Sequence, residues 1–133
     1  MIEYLLDTNI CVEVIRERSQ RVLAKLRSCR PGTVGISSVT LAELHHGAAR
    51  SSDPVRNRLM LVNFCAPLEV LPFEDRAAEA YGGVRAGLEG MGRPAGPLDI
   101  FIAAHALSLG AILVTNNERE FRRVKALRLE NWT

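Results

Sequence analysis

Asp7, Glu43, Asp99 and Asn117 are spread along nearly the whole 133-residue chain, yet each stands at a junction between a run of apolar residues and a polar cluster or helix start. Their contexts are Leu5-Leu-Asp-Thr-Asn, Ser37-Ser-Val-Thr-Leu-Ala-Glu-Leu44, Gly96-Pro-Leu-Asp-Ile and Leu113-Val-Thr-Asn-Asn. Three of the four are carboxylates beside apolar residues, and crowding such charges near a core needs a compensating cation, a helix N-terminus or protonation. A magnesium ion is the simplest compensation, and manganese is a second hard cation that carboxylate oxygens accept. Magnesium is usually held by one or two carboxylates and keeps several waters, which leaves positions open for a phosphate and an attacking water. Metal-dependent phosphodiester hydrolysis is the chemistry this residue set supports.

Within such a site Asp7 and Asp99 are expected to be the direct metal ligands, because little else could balance them where they stand. Glu43 would bind the ion through water or orient the attacking water. The amide oxygen of Asn117 can hydrogen-bond a water or ligate weakly, but it cannot act as a base. Glu120, three positions further on, supplies a charge if the turn brings it back, and Thr8 and Thr115 are candidate supporting hydroxyls. Each residue also has a plainer reading. An Asp before a helix is commonly an N-cap, Glu43 reads equally as a solvated helix residue, and Asn116 suits a turn. The neighbouring His45 and His46 point to different helix faces and lack the spacing of a zinc helix, so they are read as surface or partner-contacting residues. His105, beside Ile102-Ala-Ala104, is read as a packing residue. No glycine-rich phosphate loop, Ser/His/Asp signature or cysteine nucleophile motif is present.

The elements that must position these residues follow from pattern. Ile2 to Leu6 is a short apolar run before a polar cluster able to cap a helix, and Ile10 to Arg16 is amphipathic. Ser19 opens a second helical pattern that Pro31-Gly32 stops, and Val34 to Ser37 reads as a buried strand. Ser37 or Ser38 can cap a helix that buries Leu41, Leu44 and Ala48, Pro54 begins another through Cys65, and Leu68 to Leu71 reads as a strand. A long helix is predicted over Glu74 to Glu89 with Ala77, Ala78, Tyr81, Val84 and Leu88 inward, then a Gly/Pro loop. Pro97 occupies the first turn of a helix to Leu109, where the dipole favours the charge of Asp99. Ile112 to Val114 and Leu127 to Glu130 complete the strands. Such alternation indicates one domain over residues 1–133, a parallel sheet covered on both faces with ligands bound outside the strand carboxyl ends.

Composition narrows the setting. No apolar run approaches the roughly 20 residues of a membrane span, so a soluble, cytoplasmic protein is expected, with no membrane partner. Cys11, Cys29 and Cys65 are widely separated and never paired as Cys-x-x-Cys, which indicates reduced thiols rather than disulfides or structural zinc. Net charge is only +2, so no general electrostatic attraction for nucleic acid is available. Even so, 15 of the 17 basic residues are arginine, whose planar fork grips phosphate and stacks on bases. A coding bias toward arginine explains that choice equally well.

The four junction motifs, extended to Leu5–Ile10, Ile36–Leu44, Gly96–Ala106 and Leu113–Phe121, resemble in type and order the PIN-domain ribonucleases, specifically the VapC toxins of type II VapBC toxin–antitoxin pairs. The segments Leu68-Glu-Val-Leu-Pro-Phe73 and Leu129-Glu-Asn-Trp132 extend the likeness to nearly the full chain. The resemblance implies a three-layer α/β/α domain with a mostly parallel sheet of four to five strands. It assigns magnesium to Asp7 and Asp99 and places Glu43 and Asn117 in the same pocket. It further implies endonucleolytic cleavage of structured RNA such as tRNA, a homodimer, and a VapB-type antitoxin that blocks the site with a basic side chain. Arg16, Arg18, Arg21, Arg119 and Arg122 are the candidate RNA contacts. Many PIN domains carry Asp at the position of Asn117, so a single bound metal is favoured here unless Glu120 compensates. Two rival readings stand beside this one. The first is a PIN module that binds RNA or antitoxin without efficient cleavage. The second is a small-molecule phosphohydrolase, for which Asp7-Thr8-Asn9 lacks the second Asp of an aspartyl-phosphate motif.

Overall fold

The computed structural model describes residues 1–133. Its strands are β1 (Tyr4–Leu6), β2 (Val34–Ser37), β3 (Glu69–Leu71), β4 (Ile112–Val114) and β5 (Leu129–Glu130). They form one sheet in the order β3-β2-β1-β4-β5, and every pairing is parallel, where the sequence indicated a mostly parallel sheet. The helices are α1 (Thr8–Ile15), α2 (Gln20–Ser28), α3 (Ser38–Ala49), α4 (Pro54–Cys65), α5 (Asp75–Gly90), α6 (Pro97–Leu109) and α7 (Glu118–Phe121).

Side chains of successive strand residues point to opposite faces, and the short runs divide accordingly. Leu5 and Leu113 enter a core with Leu88, Ile100, Ile102, Ala103, Ala106 and Phe121, which belong to α5, α6 and α7. Leu6, Ile36 and Val114 enter the opposite core with Ile10, Cys11, Val22, Leu44 and Leu61, which belong to α1 through α4. Each buried leucine contributes about 2 kcal/mol by leaving water. One sheet between two helical layers is the expected three-layer architecture.

Polar residues at the helix ends close the turns. Asp7, Ser19, Ser37 and Asp53 each accept a backbone N–H as N-caps, and Pro54 and Pro97 occupy first turns. Gly110, at φ +65°, ends α6 in the left-handed conformation and lets the chain turn into β4. Boundaries differ slightly from the pattern reading: β3 starts at Glu69, α5 runs from Asp75 to Gly90, and Ala78 is exposed rather than inward. His105 is buried as a packing residue. Ser37 Oγ accepts from Val39 N–H at 3.1 Å and shares a hydrogen bond of 2.8 Å with His105 Nδ1. Burial lowers the His105 pKa, against the pull of Glu74 and a hydrogen bond with the Pro72 backbone, so the ring bridges α6 to the β2–α3 junction as a neutral group. Cys11 is buried, Cys29 and Cys65 are partly so, and all three are free thiols. No helix is long and apolar enough to cross a membrane.

Gly35 has no room for a side chain: a Cβ there would lie 2.7 Å from the Glu69 carbonyl oxygen, its partner across the β2–β3 ladder. Gly35→Ala is expected to destabilise the fold by about 1–3 kcal/mol, because backbone rather than a flexible side chain must yield. Urea unfolding checks this, and an unchanged midpoint would show that β3 shifts freely.

Candidate active site

The chain leaves β1 at Leu6 in extended conformation, and the next residue, Asp7, caps α1. Its N–H donates to the Val114 carbonyl at 2.9 Å, which ties it to the end of β4. The strand order departs to opposite sides from β1 and β4, so Asp7 stands in the crevice where parallel α/β sheets bind ligands. Asp7 is 4% exposed. One carboxylate oxygen, Oδ1, accepts from Thr8 N–H at 2.8 Å, and the other, Oδ2, accepts from Thr115 Oγ1 at 2.9 Å. Burial pushes its pKa up to about 6 against these two hydrogen bonds, and the charges of Asp99 and Glu43 push the same way. Asp7 is therefore both an N-cap and a strained charge, so the plain and the functional readings hold together.

Thr8 and Thr115 extend the network to either side. The Thr8 hydroxyl lies 3.1 Å from Glu43 Oε1 and 3.1 Å from the buried Thr40 hydroxyl; when it donates to Glu43, Thr40 becomes the donor to it. Glu43 is thus held by α1 from across the α1–α3 gap instead of standing free as a solvated helix residue. Thr115 Oγ1 also accepts the Asn117 N–H at 2.9 Å, which folds the turn after β4 back toward Asp7. The Asn117 side chain makes no cap on α7. Asp99, in the first turn of α6, is half-buried, and its pKa is raised by burial and then by the charge of Glu120. The turn therefore does bring Glu120 back to Asp99.

Four ion pairs exist in the chain: Arg30–Glu3, Arg85–Glu89, Arg122–Glu118 and Arg123–Glu120. None of them includes Asp7, Glu43 or Asp99, so the three carboxylates lack a cationic partner, and the charges of Asp99 and Glu43 both act against that of Asp7. This charge deficit fits a divalent cation. No three His, Cys, Asp or Glu side chains are close enough to enclose an ion unaided. The arrangement suits a cation that keeps most of its water and takes one or two carboxylates, as magnesium does, with Asp7 and Asp99 available to hold it. The residues surrounding it would be Glu43, Asn117 and Glu120, with the hydroxyls of Thr8 and Thr115 behind them.

The arginines singled out from sequence, Arg16, Arg18, Arg21, Arg119 and Arg122, are all exposed. Arg16 lines a cavity of about 200 Å³ that also includes Thr8 and Glu43, whereas Arg122 is engaged with Glu118 at 3.6 Å. His45 and His46 are exposed on α3. A cavity of about 680 Å³ lies among α1, α2 and α4 and touches none of the candidate catalytic residues. Two residues escaped the sequence reading. Thr40 stands one helical turn before Glu43, and Arg123 stands three residues after Glu120; only those same-face spacings could have drawn attention to them.

The central crevice of this parallel sheet gathers carboxylates from the β1–α1 junction, α3 and α6, and the PIN-domain family model matches residues 4–127. The chain belongs to that family. Among relatives, Ribonuclease VapC2 of Haemophilus influenzae is 44% identical over 132 residues, 99% of either chain. The tRNA(fMet)-specific endonuclease VapC of Shigella flexneri is 44% identical over the full length of both. In three dimensions the chain is similar to that of Salmonella typhimurium VapBC bound to DNA, with a TM-score of 0.95, 40% identity and full coverage of both chains. It is similarly close to a chain of Rickettsia felis VapBC2 bound to promoter DNA, with a TM-score of 0.93, 38% identity and full coverage. Within the PIN family the chain therefore falls among the VapC ribonucleases, as its motifs indicated.

The raised pKa of Asp7 carries a stability consequence. An acid whose folded pKa, about 6, exceeds the ordinary 3.8 binds more protons in the native than in the unfolded state. Its ionisation therefore removes stability as pH rises from about 4 to 6, by roughly 3 kcal/mol in all. Metal-free Asp7→Asn keeps an acceptor but not the charge. It is expected to exceed wild type by about 1–3 kcal/mol at about pH 7.5 and to lose that advantage below about pH 4. Urea unfolding at both pH values measures it, and equal stability at the higher pH would contradict a strained Asp7.

Proposed function

We propose that this chain is a magnesium-dependent endoribonuclease, the toxin of a type II toxin–antitoxin pair, that hydrolyses structured RNA, with tRNA as its substrate class. The observation that carries the reading is the set of three unpaired carboxylates at the sheet's central crevice, one of them almost wholly buried. Two relatives at 44% identity are named a ribonuclease and a tRNA(fMet)-specific endonuclease, which supports RNA as the substrate.

Magnesium, when bound, would offset charge on the phosphodiester and make water easier to deprotonate. Asp7 and Asp99 would hold the ion, Asp7 from a position fixed by β4 and Asp99 from the first turn of α6. Glu43, steadied by the Thr8 hydroxyl, orients the attacking water and receives its proton. Water oxygen bonds to phosphorus as the bond to the 3′-oxygen breaks, so the products carry a 3′-hydroxyl and a 5′-phosphate. Asn117 offers its amide oxygen to a water but takes no proton. Arg16, which lines a cavity with Thr8 and Glu43, and the exposed Arg18, Arg21, Arg119 and Arg122 are the candidate phosphate contacts. The solved relatives are VapBC complexes, which supports a VapB-type antitoxin as the partner; a basic side chain of that partner would neutralise the same carboxylates. A homodimer is the assembly this reading carries. The second reading, a PIN module that binds RNA without efficient cleavage, draws on Asn117 and on the spacing of the carboxylates.

Incubation of the purified chain with initiator tRNA and total tRNA, with magnesium or EDTA, separates the two. Magnesium-dependent cleavage giving 5′-phosphate ends is expected, abolished in Asp7→Ala and Asp99→Ala and lowered about 10²–10⁴-fold in Glu43→Gln. Full activity in either Asp variant would remove the ligand assignment. Cleavage that persists in EDTA and leaves 2′,3′-cyclic phosphates would remove the mechanism, and no cleavage at all would favour the binding module.

A further inference from the structure

Arg123 is an arginine whose side chain is only 13% exposed, and all three of its guanidinium nitrogens are engaged. Nε donates to the Glu120 carbonyl oxygen at 3.3 Å, Nη2 donates to Glu120 Oε2 at 2.6 Å, and Nη1 donates to the Arg93 carbonyl oxygen. Arg93 lies in the loop between α5 and α6, a few residues before Asp99. The same side chain therefore grips α7, which carries Glu120, and the loop that delivers Asp99. Asp99 and Glu120, with Ala95 of that loop and Phe121 and Val124, wall a cavity of about 10 Å³, the lower limit of what one water needs. At such spacing a small shift of either backbone changes what the two carboxylates can share. Only Oε2 of Glu120 is taken by Arg123, which leaves Oε1 uncommitted.

We propose that Arg123 is a positioning residue of the metal site: by clamping the Arg93 carbonyl and Glu120 together it holds Glu120 beside Asp99, so that Glu120 supplies the carboxylate that Asn117 does not. The proposal rests on the magnesium-site reading above. A guanidinium can serve because its fork reaches two acceptors in one plane, whereas an ammonium group meets one at a time. Geometry and charge make opposite demands here. If Arg123 acted only through its positive charge, removing it would make the site more anionic and tighten magnesium binding. If it acts by holding Glu120 in place, removing it loosens the site and weakens binding.

The test is magnesium binding by calorimetry at about pH 7.5 without RNA, together with kcat and KM on tRNA, for wild type, Arg123→Ala, Arg123→Lys, Glu120→Gln and the Ala/Gln double variant. Arg123→Ala and Glu120→Gln are each expected to weaken magnesium binding about 10- to 100-fold. In both, kcat should recover as magnesium is raised while KM for RNA stays unchanged. The double variant should be no worse than Glu120→Gln, and Arg123→Lys intermediate. Tighter or unchanged binding in Arg123→Ala, or additive losses in the double variant, overturns the proposal. If circular dichroism in EDTA shows that Arg123→Ala does not fold, Arg123→Lys and Glu120→Gln decide, and wild-type affinity in both overturns it. A wild-type chain that binds no magnesium defeats the functional reading and this proposal with it. Wild-type binding with unaltered variants defeats only the role of Arg123.

Discussion

A carboxylate at the end of a central parallel strand, almost wholly buried and still hydrogen-bonded from two sides, is the constraint around which this domain is organised. Asp7 cannot move away from the crevice: its N–H is bound to β4, Oδ1 caps α1, and Oδ2 receives the Thr115 hydroxyl. The strand order makes this inevitable, because β1 and β4 are neighbours whose chains depart to opposite layers. Two donors are too few to offset the desolvation of a charge, and the charges of Glu43 and Asp99 add to the cost. The metal-free protein thus holds an unfavourable charge at its centre, which the proposed magnesium ion would offset.

The rest of the site is drawn from both helical layers. Glu43 comes from α3 on the layer of α1 to α4 and is reached through the Thr8 and Thr40 hydroxyls. Asp99 and Glu120 come from α6 and α7 on the opposite layer, where Arg123 joins Glu120 to the Arg93 carbonyl of the loop before α6. Asp7 and Thr115 sit on the sheet between them. A site split in this way presents no compact cluster of three ligands in the metal-free chain, which suits a cation that keeps much of its water. It also explains why hydroxyls matter: Thr8 and Thr40 reach from one helix to the Glu43 carboxylate on another, and Thr115 holds the buried Asp7 carboxylate.

The frame was legible in the chain because its signals are local. Leu5-Leu6 and Ile112-Leu-Val114 announce buried strands, Ser19 and Pro97 announce helix starts, and Asp7 announces a cap at a strand end, all of which the structure bears out. The resemblance in the junction motifs supplied the family, which the relatives bear out. What local pattern could not carry was the pairing of distant residues. Nothing in the sequence around Ser37 points to His105, 68 residues away, and nothing near Arg123 points to the Arg93 carbonyl across the sheet-end loop. Arg119 and Arg122 drew notice as candidate RNA contacts and are exposed, while Arg123, the next residue, is largely buried against Glu120 and the Arg93 carbonyl. Ala78 misled for the opposite reason: it fits an apolar run but falls on the outer face of α5.

The ionisation of Asp7 is the quantity on which everything else turns, and carboxyl-carbon NMR with labelled aspartate can follow it directly. In the metal-free protein the Asp7 carboxyl should titrate at about 6, and saturating magnesium should move that titration sharply downward as the ion takes up the charge. A carboxyl that titrates near 3.8 in the metal-free chain and does not respond to magnesium would contradict the view that a strained, cation-seeking Asp7 lies at the centre of this fold.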